Sequence, residues 1–108
     1  MPSKSLPPNP FTQRVQAVVA AIPLGSVMTY QTVAHAAGNS RAARAVARIL
    51  AANYDPDIPC HRVVRSDGAL GGYNRGGSPA KRRILRKEGV SVDLRNMCIE
   101  GTHYHEIR

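Results

Sequence analysis

The chain has 108 residues, 43% of them hydrophobic and 20% charged, which indicates one small globular domain and leaves no room for a second. No apolar run approaches the ~20 residues that cross a bilayer, and two cysteines are too few for a disulfide framework, so we expect a protein of the reducing cytoplasm. The net charge is +8 and all seven acidic residues lie at position 55 or later, so the basic first half predicts a polyanionic partner, nucleic acid before an anionic membrane.

Residues 1–8 are predicted to be a disordered tail, and residues 9–108 are predicted to form a single domain. The first predicted element of this domain is an amphipathic helix. Asn9-Pro10 is a typical helix start, because Asn caps the free N–H groups and Pro fits the first turn. An apolar face follows at helical spacing, formed by Phe11, Val15, Val18, Val19 and Ile22. Pro23 and Gly25 are expected to end this helix.

The next two predicted helices form the outline of a helix-turn-helix over about residues 29–52. The first of them begins at Thr29 and ends at Gly38, a residue typical of the left-handed position after a helix. The second is expected from about residue 41 to 52, with Asn39-Ser40 as its cap. The sequence therefore predicts a mainly helical fold with short β elements, a winged-helix-like or helix-turn-helix DNA-binding domain.

Arg41, Arg44 and Arg48 are spaced to lie on one face of this second helix, with Ala43, Val46, Ala47 and Leu50 on the buried side. A solvated charged face is the alternative interpretation. No carboxylate is close enough for i+4 pairing, and the neighbouring alanines keep the helix thin enough to approach a nucleic-acid groove. The pattern therefore favours nucleic-acid binding.

Residues 53–77 are predicted to be mostly loop, with a short strand at residues 62–64. The glycine-rich segment 71–77 is either a flexible surface loop or a loop whose backbone approaches a ligand closely. Ser78-Pro79 then starts a fourth, strongly basic helix, which Gly89 ends. In the tail, Glu100-Gly101 is predicted to form a hairpin turn.

Pro59-Cys60-His61-Arg62 is the most distinctive segment of the chain. A cysteine beside histidine and arginine lies in a positive field that favours the nucleophilic thiolate, although a small buried core cysteine is the alternative. Ile58-Pro59 predicts extended or turn geometry at this point. Adjacent side chains of an extended chain point to opposite sides, so either a water or a local bend must connect His61 to Cys60, and His61 is the candidate general base acting through one water. Glu88 is the expected carboxylate that orients the imidazole, with a surface glutamate as its alternative.

These motifs together resemble the O6-alkylguanine-DNA alkyltransferase family. The run Pro59-Cys-His-Arg-Val-Val, then Gly68 and Gly71-Gly72-Tyr73, is similar to the family's active-site segment, within an active-site loop over about residues 53–77. Met28-Thr-Tyr-Gln and Gly38-Asn-Ser-Arg-Ala-Ala-Arg-Ala-Val resemble its helix-turn-helix. The similarity covers about residues 11–92, and we expect the protein to lack the amino-terminal domain of larger family members.

The resemblance implies direct-reversal DNA repair by a single-turnover methylated-DNA–protein-cysteine S-methyltransferase, with no cofactor and no metal. Cys60 is the implied alkyl acceptor, and His61, a water and Glu88 are the relay that deprotonates it. Tyr30 is implied to contact the flipped base and to donate a proton toward guanine N3. Asn53 resembles the hinge asparagine that braces the two motifs.

The remaining implied roles concern DNA. Arg44 resembles the arginine that fills the gap left by the extruded nucleotide. The other residues expected at the DNA or the base are Arg41, Arg48, Val63, Tyr73, Asn74 and Lys81. The implied partner is double-stranded DNA containing O6-alkylguanine, bound by a monomer, with other repair proteins as further partners. The expected location is the cytoplasm, which means the nucleoid in a bacterium, or the nucleus in a eukaryote.

Three alternatives stay open. The first is a non-enzymatic sensor of O6-alkylguanine that recruits other repair proteins, which the retained cysteine opposes because alkyltransferase-like proteins usually carry Trp or Ala there. The second is a helix-turn-helix regulator in which Cys60 is structural. The third is a zinc site of Cys60, Cys98, His103 and His105, whose spacing differs from that of tetrahedral sites.

Overall fold

A computed structural model describes residues 10–93, 95, 97–101, 104 and 105. The elements in chain order are α1 Pro10–Ala20, β1 Met28–Thr29, α2 Tyr30–Ala36, α3 Ala43–Ala51, a 3-10 helix Cys60–Arg62, β2 Val63–Val64, α4 Gly77–Lys87, β3 Val92–Asp93 and β4 Cys98–Ile99. The predicted mainly helical fold with short β elements is confirmed. The predicted tail lies outside the described residues. Within the described part of the chain, every helix is too short or too polar to cross a membrane.

Helix α1 buries the apolar face that its periodicity predicts. Val15 and Val19 are fully buried, and Ile22 follows them into the same core just beyond the end of the helix. The last turn tightens, because the N–H of Ala21 donates to the carbonyl of Val18 and that of Ile22 to the carbonyl of Val19. This face packs α1 against both α2 and α3.

Helix α2 has the predicted ends. Thr29 is its N-cap, and the Thr29 hydroxyl oxygen accepts a hydrogen bond of 3.0 Å from the N–H of Thr32. Gly38 follows the helix with a φ of 99°, the left-handed conformation that glycine adopts without strain. The N–H of Gly38 donates to the carbonyl of His35, which closes the last turn.

Helix α3 begins two residues later than predicted, and the predicted cap at Asn39-Ser40 is wrong. The residue before the helix is Ala42, which has no side-chain capping bond. Asn39 instead accepts a hydrogen bond of 3.1 Å from the N–H of Arg41, and the Ser40 hydroxyl bonds Nδ1 of His35 at 2.8 Å. Short polar side chains stabilise such local turns as readily as they cap helices. Arg41 therefore lies in the turn before α3 rather than on its face.

A parallel pairing of β1 with β2 brings the two functional segments together. Met28 pairs with Val63 and Thr29 with Val64, so the start of α2 and the 3-10 helix Cys60–Arg62 become neighbours. One core of buried residues lies under α1, α2 and α3, and a second, which includes Val27, Val64 and Leu85, lies under α4 and the carboxyl-terminal strands. The candidate active site lies where these two cores meet.

The carboxyl-terminal part of the fold differs from the prediction in one turn. Strands β3 and β4 pair antiparallel, with Val92 opposite Ile99 and Asp93 opposite Cys98, so the chain reverses between residues 93 and 98. The predicted turn at Glu100-Gly101 is wrong because the N–H of Glu100 extends the pairing by donating to the carbonyl of Ser91.

Helix α4 starts close to the predicted Ser78-Pro79. It begins at Gly77, and the preceding Gly76 has a φ of 119°, a conformation that a residue with a side chain rarely adopts. Pro79 lies in the first turn, where its missing N–H leaves no helical bond unmade. Gly89 follows the helix with a φ of 92°, which confirms the predicted end.

Candidate active site

Cys60 opens the 3-10 helix Cys60–Arg62, so the chain bends here instead of continuing extended, and this is one of the two geometries that the sequence left open. The N–H of Cys60 donates to the carbonyl of Ile58 at 2.8 Å, and the N–H of Arg62 donates to the carbonyl of Pro59 at 2.9 Å. The proline ring holds its φ near −78°, which favours a turn. Neighbouring side chains in a 3-10 helix are about a third of a turn apart, so Cys60 and His61 do not point to opposite sides.

The Cys60 thiol has a hydrogen-bond donor in Asn53. Nδ2 of Asn53 lies 2.9 Å from Sγ of Cys60, and Oδ1 of Asn53 accepts from the N–H of Asp55 at 3.3 Å. Asn53 is 8% exposed, so the amide is held in place by its surroundings. Asn53 thus contacts the active-site segment, and its predicted role as the hinge between the two motifs stays a prediction.

Lys81 is a buried cation beside the same thiol. Its side chain is 0% exposed, and Nζ donates to the carbonyl of Leu70 at 2.5 Å and to that of Gly72 at 3.2 Å. Nζ also lies 5.8 Å from the centre of the Tyr30 ring. Burial lowers the pKa of Lys81 to about 8, and the nearby charge of Cys60 opposes this shift. Lys81, which the sequence places at the DNA or the base, therefore lies in the interior, where its ammonium group bonds main-chain carbonyls.

His61, Arg62 and Glu88 form one polar cluster behind the thiol. Nε2 of His61 lies 2.8 Å from Oε2 of Glu88, which confirms the predicted contact between imidazole and carboxylate. Arg62 binds the same carboxylate with two donors, Nε at 2.9 Å from Oε1 and Nη2 at 2.9 Å from Oε2. Nη1 of Arg62 donates to the carbonyl of Ile22 at 2.8 Å, which ties the cluster to the end of α1.

The clamp that Arg62 makes on Glu88 was missed by the sequence analysis, which treated Arg62 only as a source of positive field. The available signal was the arginine next to the histidine, together with the fact that Glu88 is the only carboxylate of the basic segment 81–89. Planar guanidinium groups bind carboxylates with two parallel bonds, so such an arginine competes for any nearby carboxylate.

The electrostatics of the cluster determine which ring nitrogen of His61 carries a hydrogen. Burial raises the pKa of Glu88, but the hydrogen bonds from Arg62 and His61 outweigh it and keep that pKa below its ordinary value. Burial lowers the pKa of His61, against the opposing effect of Glu88. At neutral pH the carboxylate is therefore ionised and the imidazole neutral. An ionised carboxylate only accepts, so Nε2 carries the hydrogen and Nδ1 presents its lone pair as a base.

A cavity of about 230 Å³ opens beside the thiol. It is lined by Tyr30, Ala47, Leu50, Ala51, Cys60, Gly72, Tyr73 and Asn74. It shares Tyr30, Ala47 and Gly72 with an open groove of about 680 Å³ that runs between α3 and the turn at residues 65–67. A ligand bound along α3 in the groove can therefore extend a group into the cavity and reach Sγ of Cys60.

The structure brings most of the predicted base-contacting residues to this cavity, with one exception. Tyr30, Tyr73 and Asn74 line it together with Cys60. Val63 does not, because it is 0% exposed and its N–H donates to the carbonyl of Cys60. The side chain of Val63 is therefore committed to the core, and the predicted contribution of the main chain around Val63 to the base pocket stays a prediction.

The predicted nucleic-acid face is present on α3 in a modified form. Arg44 and Arg48 are exposed on the helix, and Arg41 is exposed in the preceding turn. The ion pairs found among the described residues involve none of these three arginines. Ala43 and Ala47, predicted to be buried, are partly exposed and line the groove with Arg44. The cationic face of α3 is thus continuous with the entrance of the cavity.

The zinc alternative receives no support from the described part of the chain. Among the described residues no three His, Cys, Asp or Glu side chains are grouped as metal ligands would be. His103, one of the residues of that alternative, lies outside the described residues.

Known proteins are similar in sequence to most of this chain. The family model of the 6-O-methylguanine DNA methyltransferase DNA-binding domain matches residues 10–90. A methylated-DNA–protein-cysteine methyltransferase of Methanothermobacter thermautotrophicus is 50% identical over 84 residues, which are 77% of this chain and 46% of that protein. The chain thus spans about half the length of this relative.

Two solved structures are similar to most of this fold. The Mycobacterium tuberculosis OGT in complex with DNA is 38% identical, with a TM-score of 0.71 over 78% of this chain and 51% of its own. S. pombe Atl1, in complex with damaged DNA containing O6-carboxymethylguanine, gives a TM-score of 0.79 over 94% of this chain and 100% of its own. Because the identity to Atl1 is 22%, this second similarity shows the fold alone.

Proposed function

The chain belongs to the 6-O-methylguanine DNA methyltransferase family, and from that premise we propose that it repairs DNA by moving the O6-alkyl group of a guanine onto Cys60. The observation that carries this proposal is the position of the thiol. Cys60 lies in the wall of a cavity that is continuous with the cationic face of α3, and Nδ2 of Asn53 donates to its sulfur. A nucleophile is thus accessible from the surface expected to bind DNA.

The first step is ionisation of the thiol. The proton of Cys60 passes through one water to Nδ1 of His61, while Nε2–H of His61 stays bonded to Glu88. The carboxylate stabilises the imidazolium that forms, and Arg62 holds the carboxylate in place with two hydrogen bonds. The donor on Asn53 and the positive charge of Lys81 stabilise the thiolate.

The second step is displacement at the alkyl carbon. The sulfur of Cys60 attacks this carbon, a carbon–sulfur bond forms as the carbon–oxygen bond breaks, and the electron pair stays on the guanine. The hydroxyl of Tyr30 supplies the proton that the departing base takes up. Burial, with the charge of Cys60, raises the pKa of Tyr30, so the hydroxyl is protonated at neutral pH. The thioether has no easy leaving group, so each molecule reacts once.

The lesion reaches the thiol only after the nucleotide leaves the base stack. Extrusion costs a few kcal/mol, which contacts between protein and DNA must offset. Arg44 lines the groove beside the cavity and is the residue proposed to fill the gap in the duplex. Arg41 and Arg48 are proposed to bind phosphates, which gives affinity that does not depend on sequence and falls steeply with salt. The complex of the M. tuberculosis relative with DNA supports DNA as the partner, and we propose that this DNA is double-stranded.

The test is transfer of one methyl group. One equivalent of duplex DNA containing O6-methylguanine is mixed with the protein, and the peptides are analysed by mass spectrometry. We expect one methyl group on the peptide that contains Cys60 and none on that of Cys98, the other cysteine of the chain. Cys98→Ala is the matched control and should transfer normally, whereas Cys60→Ala should bind the DNA and leave its methyl group in place.

Two results would indicate a function other than alkyl transfer. Tight, lesion-dependent binding with Cys60 unmodified would indicate the damage sensor that recruits other repair proteins. Binding that follows the DNA sequence and ignores the lesion, and that Cys60→Ala leaves intact, would indicate the regulator. Either result contradicts alkyl transfer by this chain.

A further inference from the structure

Asn74, a residue of the loop before α4, caps the end of α3 from a distance. Its Nδ2 donates to the carbonyl of Ala51 at 2.8 Å and to that of Asn53 at 2.7 Å, and it lies 3.4 Å from the carbonyl of Leu50. The last carbonyls of an α-helix have no partner within the helix. The side chain of Asn74 therefore provides hydrogen bonds that the helix itself cannot, across more than 20 residues of sequence.

The amide of Asn74 has only one orientation that suits this site. A flipped amide would direct Oδ1 at carbonyl oxygens, which offer no hydrogen. In the orientation present, Oδ1 is one of the buried side-chain atoms of the described residues that have no hydrogen-bond partner. The side chain is thus placed for its donors, and these donors are directed at α3 and not into the cavity.

Asn74 connects three parts of the proposed machinery. It lies in the wall of the cavity next to Tyr73, and its amide holds the carboxyl end of α3, the helix that carries Arg44. It also holds the main chain of Asn53, whose own side chain donates to Sγ of Cys60. A displacement of the Asn74 amide would therefore move the cavity wall, the end of α3 and the donor on the thiol relative to one another.

We propose that Asn74 is a positioning residue that keeps Cys60 and the cavity wall in register with α3. It acts through the main chain of Asn53 and the end of α3 and makes no contact with the reacting atoms. This inference rests on the proposed alkyl transfer and deepens it. It assigns the side-chain amide of Asn74 a role in aligning α3 with the thiol, and the predicted place of Asn74 in the base pocket stays a prediction.

The decisive variants are Asn74→Ala and Asn74→Asp, measured in single-turnover transfer from saturating O6-methylguanine duplex. We expect the rate constant to fall about 10- to 100-fold in both, because a misplacement of about 1 Å has effects of this size. The Kd for the duplex should stay within about twofold, because the cations of α3 are unchanged. Equal losses of affinity and rate would overturn the proposal, and so would a wild-type rate in Asn74→Ala.

The pH dependence separates positioning from a general loss of structure. In Asn74→Asp, an ionised carboxylate would have no hydrogen to donate, whereas a protonated carboxyl group can donate to one carbonyl. The rate of Asn74→Asp relative to wild type should therefore rise as the pH falls from about 8 to about 5, above the ordinary carboxyl pKa of ~3.9, which the facing carbonyl oxygens raise. The same ratio for Asn74→Ala should stay constant, and a flat ratio in both variants would contradict the hydrogen-bond mechanism.

Ala52→Asp is the matched control, since Ala52 is exposed at the same end of α3 and the substitution adds the same charge without removing the amide. It should transfer within about twofold of wild type. Thermal unfolding checks that each variant is folded, and Asn74→Ser, which keeps one donor, should recover part of the rate if Asn74→Ala does not fold.

A second readout keeps this inference separate from the proposed function. The rate at which iodoacetamide alkylates Cys60 in the DNA-free protein at one fixed pH reports the reactivity of the sulfur. We expect this rate to be lower in Asn74→Ala than in wild type, because the amide of Asn53 is no longer held on the sulfur. If wild type fails to transfer methyl groups, the proposed function fails, and this alkylation rate alone decides the positioning role. An unchanged alkylation rate in that case overturns it.

Discussion

The exposed face of α3 and the buried surroundings of Cys60 use charge in opposite ways. Arg44 and Arg48 stand in solvent, and the ion pairs of the described residues do not include them. Around the thiol, Glu88 is bonded by both of its neighbours at 2.8 to 2.9 Å. The charges on the exposed face of α3 act over about a Debye length and are screened by salt. The charges around Cys60 act through fixed contacts away from water.

The difference indicates how each region should respond to substitution. A face of unpaired cations binds phosphates additively, so the loss of one arginine weakens binding without destroying it. A buried network depends on every partner, because a group left unpaired in the interior costs far more than a bond lost in water. We therefore expect substitutions near Cys60 to change rate and stability, and substitutions on α3 to change affinity.

The largest effect is expected from Glu88→Gln. The amide keeps the shape of the side chain but removes the charge that stabilises the imidazolium and fixes the hydrogen on Nε2 of His61. Single-turnover methyl transfer should slow by about 10²- to 10³-fold, while the Kd for duplex DNA stays within about twofold. Glu100→Gln, a substitution of an exposed glutamate, is the control and should have no effect on the rate. A rate for Glu88→Gln close to wild type would remove the relay from the mechanism.

The next effect concerns the pH dependence of stability at Lys81. Its pKa is about 8 in the folded protein, below the ordinary value of ~10.4 that holds in the unfolded chain, so between these values the unfolded state binds more protons. The free energy of unfolding should rise with pH over this window, by up to about 3 kcal/mol, because burying the charged lysine no longer opposes folding. Urea unfolding from pH 7 to about 10.5 measures this rise.

Lys81→Met should remove that rise, whatever its effect on stability at neutral pH. Lys87→Met is the matched control, because Lys87 is exposed on the same helix and its substitution should leave the pH dependence as in wild type. An identical pH dependence in wild type and Lys81→Met would show that the lysine is solvated and that the region around the thiol resembles the α3 face after all.

The smallest effect is expected for a single arginine of α3. Arg48→Ala should weaken duplex binding about three- to tenfold at ~0.1 M salt and reduce the slope of log K against log salt by about 0.9, with an unchanged transfer rate at saturation. Arg44→Ala should show the same loss of affinity and a lower rate, because Arg44 lines the groove at the cavity. Titrations at several salt concentrations measure both. A lower saturated rate in Arg48→Ala would contradict the separation of binding from chemistry.

The sequence predicted the elements of this fold wherever a periodic pattern was long enough. The apolar face of α1 is confirmed by the burial of Val15 and Val19, and the ends of α2 at Thr29 and Gly38 follow from cap chemistry. The start of α3 was not predictable in the same way, because Asn39 stabilises a turn there with the bond that elsewhere caps a helix. The local preference of Asn39 is compatible with both a turn and a helix cap, and the packing of the chain decides between them.

The candidate site was predictable in its chemistry more than in its contacts. Cys60 and His61 are adjacent in sequence, so a reactive thiol could be inferred from their types alone. Arg62 shares Glu88 with His61 across 26 residues, and no spacing rule reaches that far. Lys81 looks like one more cation of a basic helix until burial shows that it faces the interior.

The amino-acid sequence by itself determined which segments form helices, which face of α1 is apolar, which half of the chain is basic and which thiol has a histidine and an arginine beside it. These properties depend on residues within one or two helical turns of each other. The tertiary structure alone decided that Asn53 donates to Cys60, that Arg62 holds Glu88 and that Asn74 caps α3. Such partners are set by the packing of distant segments, which requires each buried polar group to find a hydrogen bond wherever the fold offers one.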